Sequence, residues 1–243
     1  MKKYILSLAV IIFVFLAVEV NAQQSGSMWV NVVAGVNSTW ILNQNAYGNQ
    51  EMEYGPKFGM TGGVGMSYFH NKKWGFNSSL LTTQLGQNYA GYQAGAEAVR
   101  KVKLLYLEVP LMMMKNIPDM LNPTWISFGP DVMLLLSAKQ DYSRDGGNPL
   151  PNPEGMISGD TRDRFKTADV AINFSLNRMY TMNYSRKMMF LISLNSSLGL
   201  TDINKSAWQI PNTHDYYGKS HNFYIGIKAG MMFKLSRYGG GHW

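Results

Sequence analysis

His214, Asp215, Ser220 and His221 fall close together in one polar segment, and imidazole, carboxylate and hydroxyl are the groups from which hydrolytic and metal sites are assembled. Such a site needs partners converging from several parts of a chain. Two histidines in a single loop describe a hydrated loop equally well. A lipid-modifying enzyme set in a membrane wall would need a His/Ser pair on its outer face, and no histidine falls in the middle of any stretch described below. His70 falls at a turn. No catalytic, cofactor-binding or metal-ligating residue is therefore assigned, and no cofactor is called for. A second group is more telling. Lys57, Tyr106, Glu108, Asp131, Asp169 and Lys228 are single polar residues inside otherwise apolar or small-residue stretches. Gathered in one interior they could pass protons, or they could pair and lock the fold. Pairing is the better reading, because buried charge must be compensated, and Glu108 with Lys228 is the expected couple.

What positions these residues is a period of two. In FYIGIKAGMMFKL (223–235), Phe223, Ile225, Ile227, Ala229, Met231, Phe233 and Leu235 share one face, opposite Tyr224, Gly226, Lys228, Gly230, Met232 and Lys234. The same alternation predicts strands over 28–38, 57–70, 73–85, 102–114, 124–137, 165–177 and 187–201. In most, large apolar residues oppose Gly, Ser, Thr, Asn and the single charges named above; over 102–114 the second face is Leu104, Tyr106, Glu108, Pro110 and Met112.

The connections alternate as well. His70-Asn71-Lys72 is a tight turn, whereas 39–56, 86–101, 138–164 and 202–221 read as long loops rich in Gly, Pro, Asn and Asp. Eight strands with short turns at one end and long loops at the other predict an all-β, eight-stranded antiparallel up-and-down transmembrane β-barrel. A soluble barrel would put the apolar face inside and stud the outside with Lys and Glu. Here the minor face is made of small polar residues suited to a narrow lumen. A lysine on the lipid face at mid-bilayer costs about 2–4 kcal/mol, so Lys228 must point inward. Trp74, Trp125, Tyr68 and Tyr184 fall near strand ends, at the depth of an aromatic girdle. An open channel is excluded by size, since side chains fill an eight-stranded interior.

Composition agrees with this reading. Charged residues make up 15% against about 25% in a soluble domain, which suggests a surface that is not all in water. Lys2 and Lys3 precede an apolar run from Tyr4 to Val18, and Val20-Asn21-Ala22 supplies the cleavage site, the pattern of a secretory signal (1–22) cut before Gln23. Residues 23–243 then form one outer-membrane barrel domain, and with no cysteine it is held without disulfides. Its basic residues are dispersed, which argues against a nucleic-acid site.

Lys228-x-Gly230-x-x-Phe233-x-Leu235 looks like the polar, Gly, apolar, apolar signature that outer-membrane assembly machinery reads on a last strand. LLYLEVPLMMMK (104–115), FGPDVMLLLSAK (128–139), FKTADVAINFSL (165–176) and SLGLTDINK (197–205) together resemble the PorT-like outer-membrane β-barrel family of Bacteroidota. That resemblance implies an integral outer-membrane protein without a catalytic motif. It also implies a structural or assembly role supporting type IX secretion, through other membrane or periplasmic proteins. Ser79 and Asn195 stand where the family often has Glu and Arg, which suggests two ends of one lost ion pair. The alternative is a surface binding or adhesion barrel acting through its loops, the longest being 138–164 with Tyr142 and Arg144. A lipid A-modifying enzyme is a third.

Overall fold

The computed structural model describes residues 26–118, 123–182 and 187–235. The expected signal, Tyr184 and the tail from 236 to Trp243 lie outside them. Its strands are β1 (Ser27–Leu42), β2 (Glu53–Gly55), β3 (Phe58–Phe69), β4 (Trp74–Gln93), β5 (Ala96–Ile117), β6 (Thr124–Arg144), β7 (Gly159–Asp160), β8 (Ala168–Thr181), β9 (Met188–Gly199) and β10 (His221–Lys234). The eight long strands pair antiparallel in the ring β1-β3-β4-β5-β6-β8-β9-β10, and β10 returns to β1 from Trp29↔Lys234 to Leu42↔His221. No edge is left open, which removes the unpaired backbone groups that lipid could not satisfy. The short β2 and β7 add to β4 and β6 beyond the ring's loop end.

The wall has the polarity that the alternation predicts. Val32, Val36, Phe58, Met60, Phe174, Leu194 and Ile227 are exposed on the outside, Ile227 at 57%. Their neighbours Asn31, Asn37, Thr61, Asn173, Ser193 and Gly226 are buried within. Tight curvature needs small residues at the strand contacts. A Cβ at Gly63 would run into the carbonyl oxygen of Leu80 on the next strand, and one at Gly35 into that of Ile227.

The interior is layered. At the turn end Trp29, Phe69, Leu81, Met114, Trp125 and Met232 pack into an apolar plug, with the Phe69 and Trp125 rings 4.9 Å apart. At the loop end Tyr89, Val102, Leu104, Met133, Leu135 and Phe165 form a second. The polar layer lies between them. Trp125 therefore belongs to the plug rather than the girdle, because its position on β6 has inward parity. Trp74 stays on the outer face, beneath Lys115 at 5.4 Å.

Two connections differ from the expected long loops. Residues 86–101 are the continuation of β4 and β5, paired as far as Gln93↔Ala96 and closed by Ala94-Gly95. Both turn residues have positive φ, 49° and 83°, the signature of a two-residue type I′ hairpin. Residues 138–144 continue β6 past a bulge that lies opposite Leu105 and Tyr106. The extra residue, Leu136, resets the parity, so that Ala138 and Gln140 follow Leu135 to the inside.

Candidate functional site

Glu108 sits on β5, one of the strands with an unbroken inward set, and is fully buried. The Thr83 hydroxyl donates to its Oε2 at 2.9 Å, leaving the Thr61 hydroxyl to donate to Thr83 at 2.7 Å. From across the lumen the Tyr224 hydroxyl donates to the same Oε2 at 3.4 Å and accepts from Asn173 Nδ2 at 3.3 Å. Asn173 Nδ2 also reaches Asp131 Oδ2 at 3.3 Å. This chain of side chains links β3, β4, β5, β10, β8 and β6 through the middle of the barrel. A second layer lies nearer the loops, where Asn222 Nδ2 donates to the Tyr106 hydroxyl at 3.1 Å and to Asp169 Oδ2 at 3.0 Å. Thr201 donates to Asp169 Oδ1.

Lys228 points inward, half-buried, toward Glu108 and Asp131, and lines a cavity of about 50 Å³ with Asn31, Asn77 and Ser193. Among the described residues no ion pair within 4.0 Å joins it to either carboxylate; the single such pair is Lys103–Asp141. The expected Glu108–Lys228 contact is thus an attraction across a gap. Glu108 Oε2 is taken instead by the Thr83 and Tyr224 hydroxyls. Among the described residues Glu108 Oε1 and Asp131 Oδ1 have no protein partner; neither residue lines the cavity at Lys228, which is polar enough for water.

Lys57 does not join this set. It precedes β3, is half-buried, and has Lys103, Lys101 and Asp141 as its charged neighbours. The β3–β4 ladder ends at Thr61↔Thr83, so strand alternation no longer dictates where Lys57 points. Ser79 on β4 and Asn195 on β9 lie four strands apart whichever way the ring is followed, on opposite walls. Of the assembly signature, Lys228 and Gly230 face in while Phe233 and Leu235 are exposed outside.

The loop end is built, not loose. Arg100, buried on the extension of β5, donates from Nε to Gln140 Oε1 at 2.8 Å and from Nη1 to the Asn45 carbonyl at 2.6 Å. Its guanidinium lies 5.0 Å from the Tyr47 ring and 5.1 Å from that of Tyr89. Arg164, also buried, donates to the carbonyls of Gly155 and Glu154 at 2.7 and 2.8 Å and stacks 4.6 Å over Trp208. These two cations tie segments 43–52, 153–164 and 206–210 into a cap around Ala46, Tyr47 and Met156. The expected loop residues Tyr142 and Arg144 are wall residues here, bonded to the side chain and carbonyl of Gln93. Between the first connecting segment and the last loop a cavity of about 330 Å³ is lined by Asn43, Glu51, Tyr54, Asn212, Tyr216 and Tyr217. Burial pushes the Glu51 carboxyl up to about 7 against the opposing pull of Arg100. Sequence reading missed Arg100 and Arg164. Arg100 was legible as the next even position after Leu104 and Val102; Arg164 lies in irregular backbone and carried no period.

In the last loop His214 is exposed. The Ser220 hydroxyl donates to the Asn43 carbonyl at 2.9 Å and accepts from Asn204, so it is engaged with amides rather than an imidazole.

A closed, plugged ring with a lipid-facing apolar wall defines an integral β-barrel. The chain belongs to the outer membrane protein beta-barrel domain family, whose model matches residues 21–205. It is an outer-membrane protein whose wall meets lipid. Among solved structures it is similar to Neisserial surface protein A (NspA), at 12% identity over 87% of this chain and 100% of that one, with a TM-score of 0.43. It is also similar to OprG from Pseudomonas aeruginosa (10%, 89% and 99%, TM-score 0.37) and to Ail, the attachment invasion locus protein of Yersinia pestis (10%, 87% and 100%, TM-score 0.35). No curated protein matches the chain.

Proposed function

We propose that this is a non-enzymatic surface-binding barrel, exported by the signal 1–22 with cleavage before Gln23, with its turns in the periplasm and its cap outside. Outer-membrane assembly machinery would recognise Lys228, Gly230, Phe233 and Leu235 on β10. The observation that carries the binding reading is the cap: three connecting segments fixed by Arg100 and Arg164 over a plugged lumen. Ordering loops costs roughly 1–2 kcal/mol per residue, and a barrel that served as a membrane staple alone would have no use for that order. Rigid loops on a scaffold are where binding surfaces reside.

The rival reading, support of type IX secretion through membrane or periplasmic partners, rests on the PorT-like resemblance of residues 104–115, 128–139, 165–176 and 197–205. One experiment separates them. In a gene-deletion strain, normal export of secreted proteases with reduced attachment to surfaces supports the binding barrel. Failed export with unchanged attachment supports the secretion role and overturns the binding reading.

A further inference from the structure

The outer wall changes character abruptly at the loop-end limit of the apolar belt. On β5 the outward residues run Met113, Leu111, Val109, Leu107, Leu105 and then Lys103 and Lys101. Lys115 closes the belt at the other end. At about 3.4 Å per residue and a tilt near 45°, Lys115 to Lys103 spans roughly 28 Å vertically, close to the apolar band of about 25 Å expected for such barrels. Lys103 therefore stands where the hydrocarbon stops and headgroups begin.

At that level the charge is concentrated. Lys103 is the direct cross-strand partner of Lys139 on β6, and both are exposed on the outer face. Lys101 follows, opposite Asp141, and Lys57 adds its charge from the start of β3. Four ammonium groups thus share two carboxylates, Asp141, which Lys103 Nζ takes at 2.6 Å, and Asp160 on β7, the cross-strand partner of Lys139. Like charges placed directly opposite on paired strands repel, and with Asp141 and Asp160 beside Lys103 and Lys139 the cluster of four lysines keeps an excess of two positive charges. The turn-end edge also carries lysines, Lys72, Lys73, Lys187 and Lys234, spread over the β3–β4 turn and the ends of β9 and β10. There Lys115 rests on Trp74, and Arg178, away on β8, lies 5.6 Å from the Tyr180 ring.

We propose that Lys57, Lys101, Lys103 and Lys139 form a binding site for the phosphate groups of an anionic membrane lipid in the leaflet at the loop end. The site is continuous with the lipid-facing belt, so the acyl chains of the same molecule lie against Leu105, Leu107 and Leu134. Phosphates among the four lysines relieve the Lys103–Lys139 repulsion. This site is independent of whatever the cap binds.

The test uses the full mature chain in a non-ionic detergent, titrated by native mass spectrometry with lipid A carrying two phosphates and with its monophosphoryl form. The intact protein should bind the diphosphoryl lipid about tenfold more tightly. The triple variant Lys101→Gln/Lys103→Gln/Lys139→Gln should lose that preference, whereas Lys72→Gln/Lys73→Gln at a turn should keep it. All the changed side chains are exposed, and unchanged heat-modifiable gel migration verifies the fold. Equal affinity for the two lipids, or an unchanged preference in the triple variant, overturns the proposal. Displacement of the lipid by millimolar inorganic phosphate would make it a free-anion site and overturn the lipid assignment.

Discussion

Replacing Arg100 with Met tests whether the cap is a folded unit in its own right. Met keeps an unbranched apolar stem in the same slot and deletes the guanidinium. Two charge-assisted hydrogen bonds go, to Gln140 Oε1 at 2.8 Å and the Asn45 carbonyl at 2.6 Å; bonds of this kind contribute about 1.5–3 kcal/mol each. The contacts with Tyr47 and Tyr89 go too, at about 0.5–1 kcal/mol each. Part of this gross loss, near 5 kcal/mol, is returned because a buried cation no longer has to be desolvated. A net cost of about 2–3 kcal/mol remains, and every 1.4 kcal/mol is a factor of ten. Amide hydrogen exchange on the detergent-solubilised protein should show the cap opening on the order of a hundredfold more often. The reporters are the amides of Asn49, which bonds Ala46, and Thr161, which bonds Ala138. Amides within the β1–β10 and β8–β9 ladders should exchange as before. Unchanged exchange at Asn49 and Thr161 would refute the assignment of Arg100 as the cap's tie. Equal acceleration throughout the ring would show that cap and barrel open as one.

Other outcomes follow from the same geometry. Ile227→Lys places a cation mid-belt on the lipid face and should destabilise the barrel by about 2–4 kcal/mol in urea titrations from vesicles, whereas Ile227→Val should cost less than half as much. Because burial raises Glu51 from 4.5 to about 7, the cap should be tightest below pH 4.5 and lose stability as the pH climbs toward 7. Protease nicking between residues 43 and 57 should therefore be slower at pH 5 than at pH 8, and Glu51→Gln should flatten that difference. Gly63→Val drives a side chain into the Leu80 carbonyl and should cost about 1–3 kcal/mol, seen as a loss of heat-modifiable folded protein on gels.

The transmembrane part was legible because lipid enforces a period of two: every outward position from Leu105 to Met113 must be apolar, and every inward one small, polar or part of a plug. Once β4, β5 and β6 leave the membrane that demand disappears. GQNYAGYQ and AEAVRK put polar residues on both faces, so 86–101 reads as loop although its ladder continues to the Ala94-Gly95 turn. The lumen layer was visible residue by residue, and Tyr106, Glu108, Asp131, Asp169 and Lys228 all face inside. Who bonds whom was not visible, since alternation fixes which side chains face the lumen but not which of them meet there: Glu108 bonds Thr83 and Tyr224 rather than Lys228. Lys57 misled because it sits one residue outside its strand, where alternation carries no force.

The β4–β5 hairpin gives the barrel a lopsided profile. Three strands on one side run on for several residues after their counterparts β8, β9 and β10 have ended, so the mouth slopes like the top of a cut reed. The Ala94-Gly95 tip of this extension is held from the side by Asn148, whose backbone amide donates to the Ala94 carbonyl at 2.8 Å. A short epitope grafted at Gly95, where an added side chain meets nothing within 4 Å, would put a flag on that extension and leave the membrane wall untouched.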